Sequence, residues 1–224
     1  MAELVARVRR KPVVCVFCGA STGTSPQYVS AARSLARALH DAGLNLVYGG
    51  GTVGLMGEIA RTLVALAGPD SVHGIIPEPL VELENADPSS STGHCITEAI
   101  YGRTTIVGDM HTRKKLMAKE VIEGGPGGGF VALPGGYGTF EELMEITTWN
   151  QLGIHSMPIV VYSVDDYWGM LIRWVRAAVA QGFVEEVNAN IIREARNAKQ
   201  VMKCLASYQN AGGRQNLAWA MSKL

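Results

Sequence analysis

The chain lacks a long apolar run. No stretch approaches the roughly 20 residues that a membrane-spanning helix needs, and no secretory hydrophobic segment stands near the start. It also lacks net charge: Lys+Arg and Asp+Glu are 20 each. A nucleic-acid polymer is therefore an improbable partner, because binding one takes a basic face that displaces counterions. Cysteine is scarce, with Cys15, Cys18, Cys95 and Cys204 in 224 residues. That excludes a disulfide scaffold and makes the cytoplasm the default location. Two catalytic signatures are missing as well. There is no G-x-S-x-G elbow for a serine hydrolase, and no Lys-Ser/Thr after a glycine loop, as a Walker A motif requires. There is no fixed-period repeat.

What is present is apolar residues, 47% of the chain, and 26 glycines gathered at a few places. The length suits one domain. The expected division is a short lead-in over 1–12, a domain over 13–207, and a polar tail over 208–224 that contains Trp219. Continuous apolar runs at 13–18, 44–48 and 72–76 read as buried parallel strands. Further strands are expected at 104–108, 130–133, 158–162 and, less regularly, 190–193. Helices are expected between them. One begins at Pro26 behind a Ser25 cap and closes near Gly43; one follows the glycines at 49–54 and runs to about 66. Others are expected over 111–123, 139–152, 166–181 and 198–206. Residues 77–97, with three prolines and a Ser-Thr-Gly run, read as a long loop. Regular alternation of strand and helix implies an α/β fold, a doubly wound, mostly parallel sheet with helices on both faces.

In such a sheet, ligands bind beyond the carboxyl ends of the strands. Three motifs fall there. The first is Gly49-Gly50-Gly51-Thr52-Val53-Gly54. Its backbone N–H groups can approach an anion closely, and a helix start adds favourable partial charge. It also fits G-x-G-x-x-G, but only Glu78 stands near the place of a ribose-binding acid, so phosphate binding is preferred to a dinucleotide. The second is Pro134-Gly135-Gly136-Tyr137-Gly138-Thr139, a loop suited to a monophosphate. Thr139 and Glu142 have the spacing of a capping box, and Glu141 that of a first-turn carboxylate. The third is Asp109-Met110-His111-Thr112-Arg113-Lys114-Lys115, in which Arg113 offers a fork for phosphate or ribose hydroxyls. His111 reads equally well as structural or catalytic, and Lys115 as solvated. Cys15 and Cys18, three apart on a strand, point to opposite faces and read as core; no metal cluster is expected.

Pro134-Gly135-Gly136-Tyr137-Gly138-Thr139-Phe140-Glu141-Glu142 resembles the PGGxGTxxE signature of the LOG family. These are cytokinin riboside 5′-monophosphate phosphoribohydrolases, long mislabelled lysine decarboxylases. Cys18-Gly19-Ala20-Ser21, the glycine run 49–57, Met110-His111-Thr112-Arg113-Lys114 and the segment 149–155 resemble further family motifs in order. The resemblance implies a Rossmann-like fold, at least a homodimer with the active site near the subunit interface, no cofactor, and a nucleoside monophosphate as substrate. It implies Arg113 and Glu142 as the catalytic pair, which displaces the capping-only reading of Glu142. Substrate and phosphate contacts are expected from Ser21, Gly50, Gly51, Thr52, Met110, Arg113, Lys114, Gly135, Gly136, Tyr137, Gly138, Thr139 and Glu141.

The residue types suit that chemistry. Breaking a ribosyl C–N bond builds positive charge on the sugar. Glu142 can stabilise that charge and take a proton from water, while Arg113, always protonated, positions the substrate. Asp109 or water could protonate the leaving base. This sequence departs from the family where Cys95 precedes Ile96-Thr97, with Glu98 as a substitute carboxylate, and in the longer segments 83–95 and 124–129. Three other readings remain. A non-catalytic nucleotide carrier would release no adenine from AMP. A pyridoxal-phosphate decarboxylase needs a marked Schiff-base lysine, which is not seen. A dehydrogenase would bind nicotinamide.

Overall fold

A computed structural model describes residues 11–85, 96–215 and 217. Cys95, most of the serine-rich stretch and Trp219 lie outside the described residues. Among the described residues seven strands alternate with helices: β1 (Val13–Phe17), β2 (Asn45–Tyr48), β3 (Val72–Pro77), β4 (Arg103–Val107), β5 (Gly129–Ala132), β6 (Ile159–Tyr162) and β7 (Ile192–Ala195). The helices are α1 (Pro26–Asp41), α2 (Gly54–Ala67), α3 (Glu78–Asn85), α4 (Glu98–Tyr101), α5 (Met110–Gly124), α6 (Tyr137–Gln151), α7 (Gly169–Ala180) and α8 (Ala198–Ala206). The strands form one sheet in the order β4-β3-β2-β1-β5-β6-β7, and every neighbouring pair is parallel.

The order reverses between β1 and β5. From β1 the chain builds outward to β4, then returns to the other side of β1 and builds outward again. In a sheet of this kind a ligand crevice is expected at such a reversal, beyond the carboxyl ends of β1 and β5. The period of two along each strand divides the core. Val14, Val16, Leu46, Tyr48 and Val131 face α1, α2 and α8. Cys15, Phe17, Val47, Phe130 and Ala132 face α5, α6 and α7. Cys15 and Cys18 belong to different faces, as their spacing requires, and both are buried. No helix among the described residues is long and apolar enough to cross a membrane.

α1 starts as its sequence dictates. Ser25 Oγ accepts from Gln27 N at 3.3 Å, with proline in the first turn. Ser25→Ala should cost about 1 kcal/mol, read as a lower urea midpoint at unchanged slope.

Three expectations are corrected. Residues 77–97 are not simply a loop, since α3 opens directly at the end of β3 and takes up Glu78–Asn85. α6 begins at Tyr137, so Thr139 lies inside it and the helix carries no side-chain cap. The capping box is absent because the cap position falls on Gly136. α7 begins at Gly169, after a short irregular turn at Val164–Asp166. The segment that follows α8 folds back on α6: Arg214 Nε donates to Asn150 O at 2.9 Å, and Gln215 N to Gln151 O at 3.0 Å.

Candidate active site

The loops after β1, β2 and β5 meet at the crevice. Gly19 N donates to Pro134 O at 3.0 Å, joining the first loop to the third. Gly19 O accepts from Leu55 N at 3.1 Å and Met56 N at 3.4 Å, joining it to the start of α2. Gly54, at φ +60°, passes so close under this loop that a Cβ would lie 2.3 Å from Ala20 C. The expectation that α2 lends its amino terminus to an anion is thereby changed. The carbonyl of Gly19 takes up two of its free N–H groups. Thr52 is buried beneath, and Ser21 is exposed above it.

The start of α6 differs. No side chain caps it, and its first N–H groups have no intrahelical acceptor. Gly136, Tyr137 and Gly138 are exposed at the crevice, while Thr139 is buried with its Oγ1 against Gly135. An anion placed there meets several N–H groups and the positive end of a 15-residue helix.

Arg113 and Glu142 are brought together from α5 and α6. Asp109 starts α5 by accepting from Thr112 N at 2.8 Å and from Thr112 Oγ1 at 2.7 Å. One turn on, Arg113 turns inward and is buried. Its Nη2 lies 3.4 Å from Glu142 Oε1, an ion-pair distance without hydrogen-bond geometry. The same guanidinium lies against the backbone of Gly49, where a Cβ would sit 1.9 Å from Nη2. Met110 Sδ is 3.7 Å from Nη1. Arg113 Nε and Glu142 Oε1 are both buried without a hydrogen-bond partner. Buried polar atoms are rarely left so, which marks this pair as a candidate site.

Burial raises the Glu142 carboxyl to about 7, although Arg113 opposes the shift. Such a group exchanges a proton readily at neutral pH. Burial, with Glu142 nearby, also drives the Cys18 thiol far above its ordinary range, so it is inert.

Other expected residues have other duties. Lys114 is clamped between the carboxylates of Glu141 and Glu145, the latter at 3.2 Å, which ties α5 to α6. Both Lys114 and Glu141 are thus engaged with each other. The Thr112 backbone N–H, then its hydroxyl, keep the Asp109 carboxylate below its usual range. Asp109 is a cap that holds its charge, which is unsuited to protonating a leaving group. Glu98 accepts from Thr104 N at 3.3 Å, at the opposite end of β4 from Asp109, and does not reach the crevice. His111 is exposed. His155, in the segment after α6, is buried at 4% exposure, bonds to Ile146 O at 2.8 Å and is lowered by burial to about 4.

Sequence reasoning missed Tyr167. Its hydroxyl donates to Gly135 O from the turn after β6. An aspartate pair followed by Tyr-Trp carries no motif, so only the tertiary fold reveals it. Two hollows of about 520 and 680 Å³ elsewhere on the molecule contain none of the crevice residues.

A family model described as possible lysine decarboxylase matches residues 56–205. A bifunctional cytokinin biosynthesis protein of Fusarium pseudograminearum is 47% identical over 207 residues, which are 92% of this chain but 42% of that protein. Two cytokinin riboside 5′-monophosphate phosphoribohydrolases of Arabidopsis thaliana are 40% and 42% identical, over 93% of this chain and 86% and 87% of theirs. Among solved structures, a molybdenum cofactor carrier protein of Chlamydomonas reinhardtii superposes with TM-score 0.59 at 17% identity, covering 87% of this chain and 95% of that one. The molybdenum cofactor binding protein of Rippkaea orientalis gives 0.56 at 18%, covering 87% and 94%. At such identities these two show a shared Rossmann-like fold and nothing more.

Proposed function

Because this chain belongs to the family of cytokinin riboside 5′-monophosphate phosphoribohydrolases, matched by the model described as possible lysine decarboxylase, we propose that it hydrolyses the N-glycosidic bond of adenosine 5′-monophosphates, including N6-modified ones. The products are the free base and ribose 5-phosphate. The observation that carries this reading is the buried Arg113–Glu142 pair, partly unsatisfied, one helical turn inside an uncapped helix start.

The 5′-phosphate lies at the amino terminus of α6, held by N–H groups of Gly136 to Thr139, with the loop at Gly50, Gly51 and Thr52 closing the other side. Phosphate binding is remote from the bond that breaks, so its energy serves to orient the sugar. The ribose then faces Glu142. As the C–N bond lengthens, positive charge grows on the sugar and the carboxylate stabilises it. Water adds to the anomeric carbon. Its proton passes to Glu142, whose affinity near neutrality suits both receiving it and releasing it toward the departing base. Arg113 stays charged throughout. It holds the substrate and keeps Glu142 from rising further.

The test is incubation with AMP and with isopentenyladenosine monophosphate, following base and ribose 5-phosphate. Arg113→Ala is expected to lose most turnover with the fold retained. It should also move the acid limb of the rate profile to higher pH, because the opposing charge is gone. Release of no base from either nucleotide would return the protein to the carrier reading.

The working unit is a homodimer. Met110 and Phe140 are 40% and 45% exposed at the rim of the crevice, and Tyr137 is 97% exposed. Phe140, Met144 and Trp149 line an apolar hollow along α6 beside them. A second copy covering this face would shield the sugar from bulk solvent while leaving room for the attacking water. Light scattering should give twice the 24.0 kDa chain mass. The cytosol is the proposed place of action, where buried free thiols such as Cys15 and Cys18 stay reduced.

A further inference from the structure

We propose that Tyr167 is a positioning residue for the phosphate loop: its hydroxyl pins the Gly135 carbonyl and so aims the Gly136 N–H into the anion site. The inference rests on the reading of the α6 amino terminus as the 5′-phosphate site. It extends that reading to the turn after β6, which lies outside the motifs that carry the family resemblance.

The first step is peptide geometry. In a trans peptide the C=O and the following N–H point to opposite sides, so fixing one fixes the other. All described peptides of this chain are trans. The plane between Gly135 and Gly136 needs such fixing. Gly135 is packed against Thr139 Oγ1, but a Cβ on Gly136 would meet nothing within 4 Å, so on that side no packing orients the peptide. Glycine on both sides of a peptide allows it to turn over at little cost. The Tyr167 O–H donates to the Gly135 carbonyl. That bond holds the carbonyl toward the β6 side and leaves the Gly136 N–H facing away from it, where the helix start receives the anion.

The second step is that Tyr167 itself is held in place. Its ring packs edge-on against Tyr28 at 6.0 Å and Trp168 at 5.2 Å. It follows two aspartates in succession with left-handed backbone, Asp165 at φ 51° and Asp166 at φ 59°. Each such non-glycine residue costs about 1–2 kcal/mol. The conformation is secured from outside. Ser25 Oγ donates to Asp165 Oδ2 at 3.2 Å, and Asp166 pairs with Arg173 and Arg196 at 3.6 Å each. Gly169 leaves room for it, since a Cβ there would lie 2.3 Å from Asp166 Oδ2. Backbone strain of this kind persists where the geometry it imposes has a use. Tyr167 is 42% exposed, so water could satisfy its hydroxyl without any strained turn. What the turn adds is the direction of the phenol.

Tyr167→Phe removes the donor and keeps the ring contacts. Tyr208→Phe is the control: its hydroxyl donates to Asn150 Oδ1 at 3.2 Å, at the far end of α6. Inorganic phosphate is titrated into the parent and both variants by calorimetry, and steady-state rates are taken with AMP. Loss of one oriented hydrogen bond is expected to weaken phosphate about fivefold in Tyr167→Phe. KM for AMP should rise in step while kcat stays within about twofold, the mark of binding lost equally from ground and transition states. Tyr208→Phe should change neither. The proposal is overturned if the parent binds no phosphate, if Tyr167→Phe binds it as the parent does, or if Tyr208→Phe weakens it equally. Weakened phosphate binding in Tyr167→Phe together with no base release by the parent would leave the pinning intact and remove the hydrolytic reading instead.

Discussion

Glu142→Gln is expected to lose turnover by roughly 10²–10⁴-fold, the usual worth of a positioned acid–base group, and yet to unfold at a higher temperature than the parent at pH 8. Both effects come from one cause. Burial raises the carboxyl from 4.5 to about 7, so ionising it inside the fold is costlier than in the unfolded chain. The sign follows from which state binds more protons. Below 4.5 the group is protonated in both states and costs nothing. Between 4.5 and about 7 the folded state keeps a proton that the unfolded state has lost, and stability falls as pH rises. Above 7 the penalty is complete, on the order of 3 kcal/mol at 1.36 kcal/mol for each tenfold change. Glutamine has the shape of the protonated acid and escapes it. For a chain of this length each 1 kcal/mol moves the melting temperature by about 2–4 °C. The variant should therefore match the parent near pH 4.5 and exceed it by several degrees at pH 8.

His155 supplies an internal contrast. Its imidazole is lowered by burial from 6.5 to about 4, so below 6.5 the unfolded chain takes up a proton that the fold refuses. Stability from this group rises with pH over the window in which Glu142 lowers it. In the parent the two slopes oppose each other. In Glu142→Gln only the histidine slope remains, so its stability should climb steeply between pH 4 and 6.5. Parent kcat/KM should fall about tenfold for each pH step below 7 as Glu142 is protonated. A melting difference that is equal at pH 4.5 and 8 would show that burial does not destabilise the ionised Glu142, and turnover within tenfold of the parent would show that its carboxylate is not needed.

Much of this was legible in the chain because it depends on short-range rules. Apolar runs gave the strands, and glycine loops after them marked the ligand edge. What failed was what long-range contact decides. The spacing of Thr139 and Glu142 fits a capping box, but Pro134 O is tied to Gly19 N and the helix starts at Tyr137, behind a Gly136 cap. The glycines at 49–54 read as a phosphate cradle complete with a helix terminus, and no local rule reveals that Gly19 O occupies it. Lys114 reads as a substrate contact, and no local rule reveals that α6 brings two carboxylates to it. The Arg113–Glu142 pair is the reverse case. It was legible only through family resemblance, since 29 positions separate the two residues in sequence and the sheet order alone makes them neighbours.

The glycines around this pair allow activity and folding to be separated. Gly49→Ala should fold almost as the parent does and lose on the order of 10²-fold in turnover, the cost of displacing a positioned group by about 1 Å. The atoms that a Cβ would meet are Arg113 Nη2 at 1.9 Å, Arg113 Cζ at 3.1 Å and Met56 Sδ at 3.1 Å, all toward the ends of flexible side chains. They can yield, and what yields is the guanidinium that offsets Glu142 and is proposed to position substrate. Gly54→Ala meets backbone instead, Ala20 C at 2.3 Å and Ser21 N at 2.4 Å, with φ at +60°. The left-handed conformation alone costs an alanine about 1–2 kcal/mol, and the first loop must also move. This variant should lose stability and turnover together. Urea unfolding and AMP hydrolysis on both proteins decide the matter. If Gly49→Ala keeps parental turnover, the guanidinium is not held where the reaction needs it; if it loses stability as Gly54→Ala does, Gly49 serves packing and the close approach of Arg113 has no catalytic meaning.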